Sequence, residues 1–293
     1  MFKRYHLRFP FILPKMKAID RLVLLIFCCM LFFNGLAYAD AASGSAVAAA
    51  PGDRENSGSS DAITTAAFGL MDQWKINHPT SHIKMSSVSP VSEMTQDVYV
   101  YEEADGKIHW KAAVMSLFPI QYSFVAYPSK DGDILTYFPL SAVLVRKTTA
   151  AELAKGMDPL MVIKGGSMMQ FKSFCKSIRT EKTDSGYAVK CILDASKLNN
   201  SQLLMMHIDE VPMEINLDTD GQVNRTVQTV MGITTVSTLT WISHDNVKIR
   251  NSSPPVPDES TLDTNLNYQD ALIQEIKFFK TKPQSNQTQS KGV

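Results

Sequence analysis

The chain has 293 residues, of which 44% are hydrophobic and 20% charged, enough apolar material for a real core and a composition that excludes a disordered or fibrous protein. Its 29 basic and 29 acidic residues cancel, but six of the basic ones (Lys3, Arg4, Arg8, Lys15, Lys17, Arg21) and a single acid, Asp20, lie in the first 39 positions, leaving 23 against 28 beyond them. A mildly acidic remainder lacks the basic stripe that displaces counterions from phosphates, which excludes nucleic acid as a partner.

In chain order, Arg21 precedes an apolar run from Leu22 to Phe33, and Ala37-Tyr38-Ala39 follows before Asp40. Basic, apolar and small-residue regions in that order make a secretory signal peptide over residues 1–39, cleaved between Ala39 and Asp40. The apolar run is shorter than the ~20 residues of a membrane-spanning helix. A start at Met16 gives a more usual signal length than Met1. Cys28 and Cys29 fall within the run and lack the Leu-small-small context of a lipid-modified cysteine, so the exported chain is not expected to be a lipoprotein itself. The expected location is the periplasm, with peripheral membrane contact at most.

Residues 40–59 are rich in Ala, Ser, Gly and Asp and read as a flexible leader. Ser60-Asp61 then caps a predicted helix from Ala62 to Lys75, with Ile63, Ala66, Ala67, Leu70 and Trp74 at helical spacing. From His82 the period changes to two: HIKMSSVS, DVYVYEE, KIHWKAAVMSL, QYSFVAYP and DILTYFP, with Asp105-Gly106 and Ser129–Gly132 as turns. Thr148-Thr149 caps a predicted helix from Ala150 to Met157, and Ser167–Phe174 is a second helical stretch. Two strands follow, with Arg179–Gly186 read as the turn region between them. A last meander comprises VPMEINLD, Thr219–Gly221, QVNRTVQTVM, Gly232 and ITTVSTLTWISHDNVKIR. A Pro-rich linker, a short helix over Tyr268–Lys280 and a disordered tail complete the chain. Successive strands joined by Asp-Gly turns describe an up-and-down antiparallel sheet, without the βαβ alternation of a parallel one.

Cys175 and Cys191 are the cysteines left after cleavage, and an oxidising compartment makes them the expected disulfide across a hairpin, worth about 3 kcal/mol; two reduced, buried thiols are the alternative. No HExxH, nucleophile elbow or phosphate-cradling glycine loop is present. His78 and His82 straddle the helix-breaking Pro79, the adjacent pairs Glu102/Glu103 and Asp209/Glu210 point to opposite faces of a strand, and no three or four metal ligands converge. The expectation is a non-enzymatic protein with no metal and no cofactor. The distinctive residues are apolar: Trp110, Phe118, Tyr122, Phe124, Tyr137 and Phe138 in the first meander, with Met168, Met169 and Met213 later. Met and aromatic side chains pack cores, and they also line adaptable binding surfaces. Helices that cover one sheet incompletely leave an apolar pocket of the kind that holds lipid or an acyl chain.

The order of elements, with VYVYEEADGKIHWKAAV, the DGDILTYFP strand at 131–139 and the MEINLDTDG unit at 213–221, resembles the periplasmic outer-membrane lipoprotein carrier family and its broader lipoprotein-sorting superfamily over residues 60–250. The resemblance implies a mainly β fold with helices, an antiparallel unclosed half-barrel covered by a few short helices, with 251–293 outside it. It also implies an apolar cavity that carries or senses lipid, acyl chains or lipoproteins, with other envelope proteins as further partners. An envelope interaction or structural module without a small ligand is the alternative. The carriers latch their lid with an arginine in the strand before the Tyr-Pro strand. Here that region holds Lys107 and Lys111, and Arg146 falls after it.

Overall fold

The structure, a computed structural model, describes residues 58–90, 92–118, 123–151, 171–198 and 208–281. Among the described residues, period-two sequence and tight turns fold into eleven antiparallel strands: β1 Ser81–Val88, β2 Glu93–Glu102, β3 Ile108–Phe118, β4 Phe124–Pro128, β5 Ile134–Phe138, β6 Val143–Thr148, β7 Cys175–Thr183, β8 Gly186–Asp194, β9 Glu210–Leu217, β10 Val223–Val230 and β11 Ile233–Ser243. They form one unclosed sheet in the order β6-β5-β4-β3-β2-β1-β11-β10-β9-β8-β7. The expected mainly β architecture, an antiparallel unclosed sheet with a few helices, is the observed one, with three α-helices among the described residues. Gly106, Gly132, Gly221 and Gly232 all take positive φ in the hairpin turns where the sequence places them.

Helix α1 (Gly58–Asn77) and helix α3 (Tyr268–Thr281) cover the same face of the sheet from opposite ends. Register establishes this. Val145, Thr136, Ala126, Ala112, Val98, Ile83 and Trp241 stand side by side across six hydrogen-bonded strand pairs; Ser237, on the same face of β11 as Trp241, begins a second row with Thr226, Ile215, Val189 and Thr180. On this inner face α1 packs Ala67, Phe68 and Met71 against Val189, Leu193, Met213 and Ile215. The Thr64 hydroxyl meets that of Thr180 at 2.7 Å, both buried. Helix α3 packs Ala271 and Ile276 against Phe124, Phe138 and Val145.

Helix α2 (Asn246–Ser252) lies beside β2 on the opposite, outer face, where the Asn246 side chain exchanges hydrogen bonds with the Glu102 backbone. The chain beyond it straps that face. Lys111 Nζ donates to the Pro254 carbonyl at 3.0 Å, and Leu262 pairs with Leu144 on the edge strand β6, covering backbone groups that an exposed edge would offer to another chain. On the other edge, β7 carries Lys176, Arg179, Glu181 and Lys182, charges that discourage such pairing. Glu275 of α3, 0% exposed, accepts from the Leu140 and Ser141 amides and the Ser141 hydroxyl at 2.9, 2.7 and 2.7 Å, pinning α3 to the β5–β6 turn.

The structure differs from the sequence reading at three places. The stretch ITTVSTLTWISHDNVKIR is a strand only to Ser243; Asp245 then caps α2, accepting from the Lys248 amide. Arg179–Thr183 belongs to β7, so the turn to β8 is confined to Asp184 and Ser185. Strand β6 occupies a segment where no element was expected. The two cysteines of the expected disulfide are free thiols on the neighbouring strands β7 and β8; a bulge between Cys175 and Ser177 sets Cys191 opposite Ile178, and a hydrogen bond with Cys175 together with burial pushes the Cys191 thiol up. The signal peptide, the Ala39–Asp40 cleavage point, the leader up to residue 57, most of the 150–157 and 167–174 helices and the C-terminal tail lie outside the described residues. No described helix is long and apolar enough to cross a membrane.

Candidate functional site

Beneath the C-terminal half of α1 the helix and the inner face leave a partly enclosed cavity of about 70 Å³. Met71, Trp74 and Lys75 form its roof. Ile83 of β1 and Leu239 and Trp241 of β11 form one wall, and Ile215, Val223 and Thr226 of β9 and β10 form the other. The cavity exists because the turn after β9 meets α1 backbone to backbone. Gly221, at φ +91°, has no room for a Cβ, which would run into the Leu70 carbonyl and lie 2.8 Å from the Met71 nitrogen. With the helix fixed there, the bulky Trp74 meets Trp241 edge-on at 4.2 Å and holds the next turn off the sheet. The Trp241 indole donates to the Val223 carbonyl at 2.9 Å, which fixes that ring. At the rim, His78 stacks on Trp74 at 4.4 Å and meets His244 at 4.4 Å, while His244 lies along Trp241 at 5.9 Å.

Lys75 is the anomaly of this site. It is 8% exposed, and its Nζ has no hydrogen-bond partner among the described residues. An ammonium out of water and without a partner is costly. Burial pushes its pKa down to about 8, against a smaller opposing pull from the Asp72 carboxylate. The unfolded chain holds this proton up to about pH 10.5, so between pH 8 and 10.5 it binds more protons than the native protein, and native stability rises with pH across that window. The rise from Lys75 is about 3 kcal/mol. Urea unfolding from pH 7.5 to 10.5 is expected to show it, and Lys75→Met to remove that part of it. An unchanged pH profile in the variant would place the lysine in water.

Of the residues singled out from sequence, Trp110, Phe124, Phe138 and Met213 lie buried on the inner face. They belong to three separate packing clusters, and none of them lines this cavity. Tyr137 faces the outer side, packed with Tyr127, Leu135 and Leu144. The side chain of Phe118 and the whole of Tyr122, Met168 and Met169 lie outside the described residues. Arg146 forms an ion pair with Asp133 on the outer face, away from the cavity. Lys75 and Met71 were missed, although they share helical spacing with Thr64 and Phe68. Among the described residues no group of three or more His, Cys, Asp or Glu is placed to hold a metal ion.

No family model matches the chain, and no curated protein matches it. Solved structures similar to it include LprF from Mycobacterium bovis, at 11% identity over 66% of this chain and 97% of that one, with a TM-score of 0.36. The Mycobacterium tuberculosis lipoprotein LppX is 12% identical over 63% and 99%, with a TM-score of 0.40. The MucA/MucB complex of Pseudomonas aeruginosa is 13% identical over 62% and 58%, with a TM-score of 0.33. At these identities and TM-scores the likenesses carry no argument about the role of this chain.

Proposed function

We propose that this chain is an exported, non-enzymatic binding protein of the periplasm that takes lipid, an acyl chain or the acylated end of a lipoprotein between α1 and the inner face of its sheet. The cavity beneath α1 is the observation that supports the reading most directly. Its walls are Met, Trp, Ile, Leu and Val apart from Lys75, Gly221 and Thr226, and an apolar cavity stays dry and accepts apolar molecules. At about 70 Å³ it is well below the ~300–1,000 Å³ of ligand pockets, so a long chain enters only as α1 lifts. A lid of that kind is released by sliding Met71, Trp74 and their neighbours outward about the Gly221 contact.

Native mass spectrometry with lipid extraction, on protein purified from the periplasm without detergent, tests this reading. A bound acyl species is the expected result. Protein that arrives empty and also takes up no added fatty acid or lipopeptide would leave an envelope interaction module as the working description.

A further inference from the structure

The proposed ligand site has a polar end, and its chemistry narrows the ligand. The inner face around the cavity is made of Ile83, Ile215, Val223, Leu239 and Trp241, with Thr226 as the other polar lining residue. Against these walls stands one ammonium group, shielded from water and unpaired among the described residues. A lysine placed only for packing extends its amine to solvent along its flexible stem; Lys75 does not. A buried cation beside an apolar cavity is satisfied by a ligand that brings an anion attached to an apolar body, since the ion pair then forms in a low dielectric and removes the isolated charge.

We propose that Lys75 is the headgroup anchor of this site and that the ligand is a carboxylate-headed amphiphile such as a free fatty acid, its chain lying along Trp74, Ile83, Leu239 and Trp241. The inference rests on the cavity being the ligand site. Acyl chains of a lipoprotein, in ester or amide linkage, carry no such head, so the site would prefer the free acid. The charged groups near Lys75 are few. Asp72 lies on the same helix one turn back, His78 and His244 stand at the rim beside the tryptophans, and the lining residues from β1, β9, β10 and β11 carry no ionisable group.

Calorimetric titration of the full protein with octanoate, octanol and octylamine separates the possibilities. Octanoate is expected to bind at least ~10-fold tighter than octanol at pH 7, and octylamine more weakly than either. In Lys75→Met, a change that keeps the volume and apolar stem, octanoate is expected to fall to the affinity of octanol while octanol keeps its own. Should the variant not fold, the unaltered protein gives the same answer. The preference for octanoate is expected to shrink between pH 7 and 9.5 as the lysine loses its proton, the carboxylate staying ionised throughout. Equal binding of octanoate and octanol by the unaltered protein would overturn the headgroup anchor and leave the apolar site standing. Binding of none of the three would overturn both.

Discussion

Replacing Glu275 with Ala is expected to cost about 4 kcal/mol and to detach α3 from the sheet. The carboxylate is fully buried and accepts from the Leu140 and Ser141 amides and the Ser141 hydroxyl. Bonds to a charged acceptor are worth about 1.5–3 kcal/mol each, and removing the acceptor leaves donors in the interior with the desolvation cost alone. The loss extends to packing, because α3 covers Phe124, Phe138 and Val145. At roughly 2–4 °C per kcal/mol the melting temperature is expected to fall by about 10 °C, with hydrogen-exchange protection lost first in Tyr268–Thr281. Glu275→Gln keeps one carbonyl oxygen as acceptor but turns an NH2 donor toward the amide or hydroxyl at the other position, so it is expected to lose most of what Ala loses. A Gln variant as stable as the unaltered protein would mean that one accepting oxygen is enough to hold the helix.

Gly221→Ala is the second large effect, with an expected loss of about 3 kcal/mol. A φ of +91° is open to glycine and costs other residues about 1–2 kcal/mol, and the added methyl also meets the α1 backbone at Leu70 and Met71, where neither side can yield as a flexible side chain would. Overpacking of this kind adds about 1–3 kcal/mol. The strain acts where the roof of the cavity is pinned, so the variant is expected to lift α1 and raise the solvent exposure of Trp74 and Trp241, seen as a red shift in emission. Gly232→Ala makes the control. Its turn also has positive φ, but nothing lies within 4 Å of the added methyl, so a loss from backbone strain alone, about 1–2 kcal/mol, and no change in tryptophan emission are expected. A matching emission change in both variants would detach the effect from the helix contact.

Most of the sheet was legible because its turns are Asp-Gly or Gly pairs and its strands alternate cleanly, as in β1, where Ser81, Ile83, Met85 and Ser87 are the buried positions. The misses have particular causes. Strand β6 is entered through Ala142 at φ 54°, a left-handed position with no glycine to announce it. In β5, Ile134, Leu135, Thr136 and Phe138 are all buried, since α3 covers one face and the Leu262 strap the other, so period two no longer says which face Tyr137 takes. Helix α2 was hidden by a strand-like run that continues past His244, although Asp245 is an ordinary N-cap residue.

The candidate site was less legible than the fold, for a physical reason. The helical stripe actually buried runs Thr64, Ala67, Phe68, Met71, Trp74 and Lys75, rotated from the apolar stripe read in the sequence because two of its members are polar. A lysine at helical spacing ordinarily marks the solvent face. Only the position of α1 against Gly221 and Trp241 shows that this one points inward, and only then does the cavity acquire a head end. The aromatics of the first meander drew attention as binding residues, whereas Trp110, Phe124 and Phe138 are occupied in packing β3, β4 and α3.

The most direct test of a ligand site beneath α1 is tryptophan quenching by a brominated fatty acid. Trp74 and Trp241 line the cavity and Trp110 does not, and these are the three tryptophans of the chain. Bromine quenches on contact, so saturating bromododecanoate is expected to extinguish most of the emission of Trp74 and Trp241, and to leave that of Trp110, measured alone in the Trp74→Phe/Trp241→Phe variant, largely unchanged. Saturable binding that spares Trp74 and Trp241, or that quenches Trp110 instead, would contradict a site beneath α1.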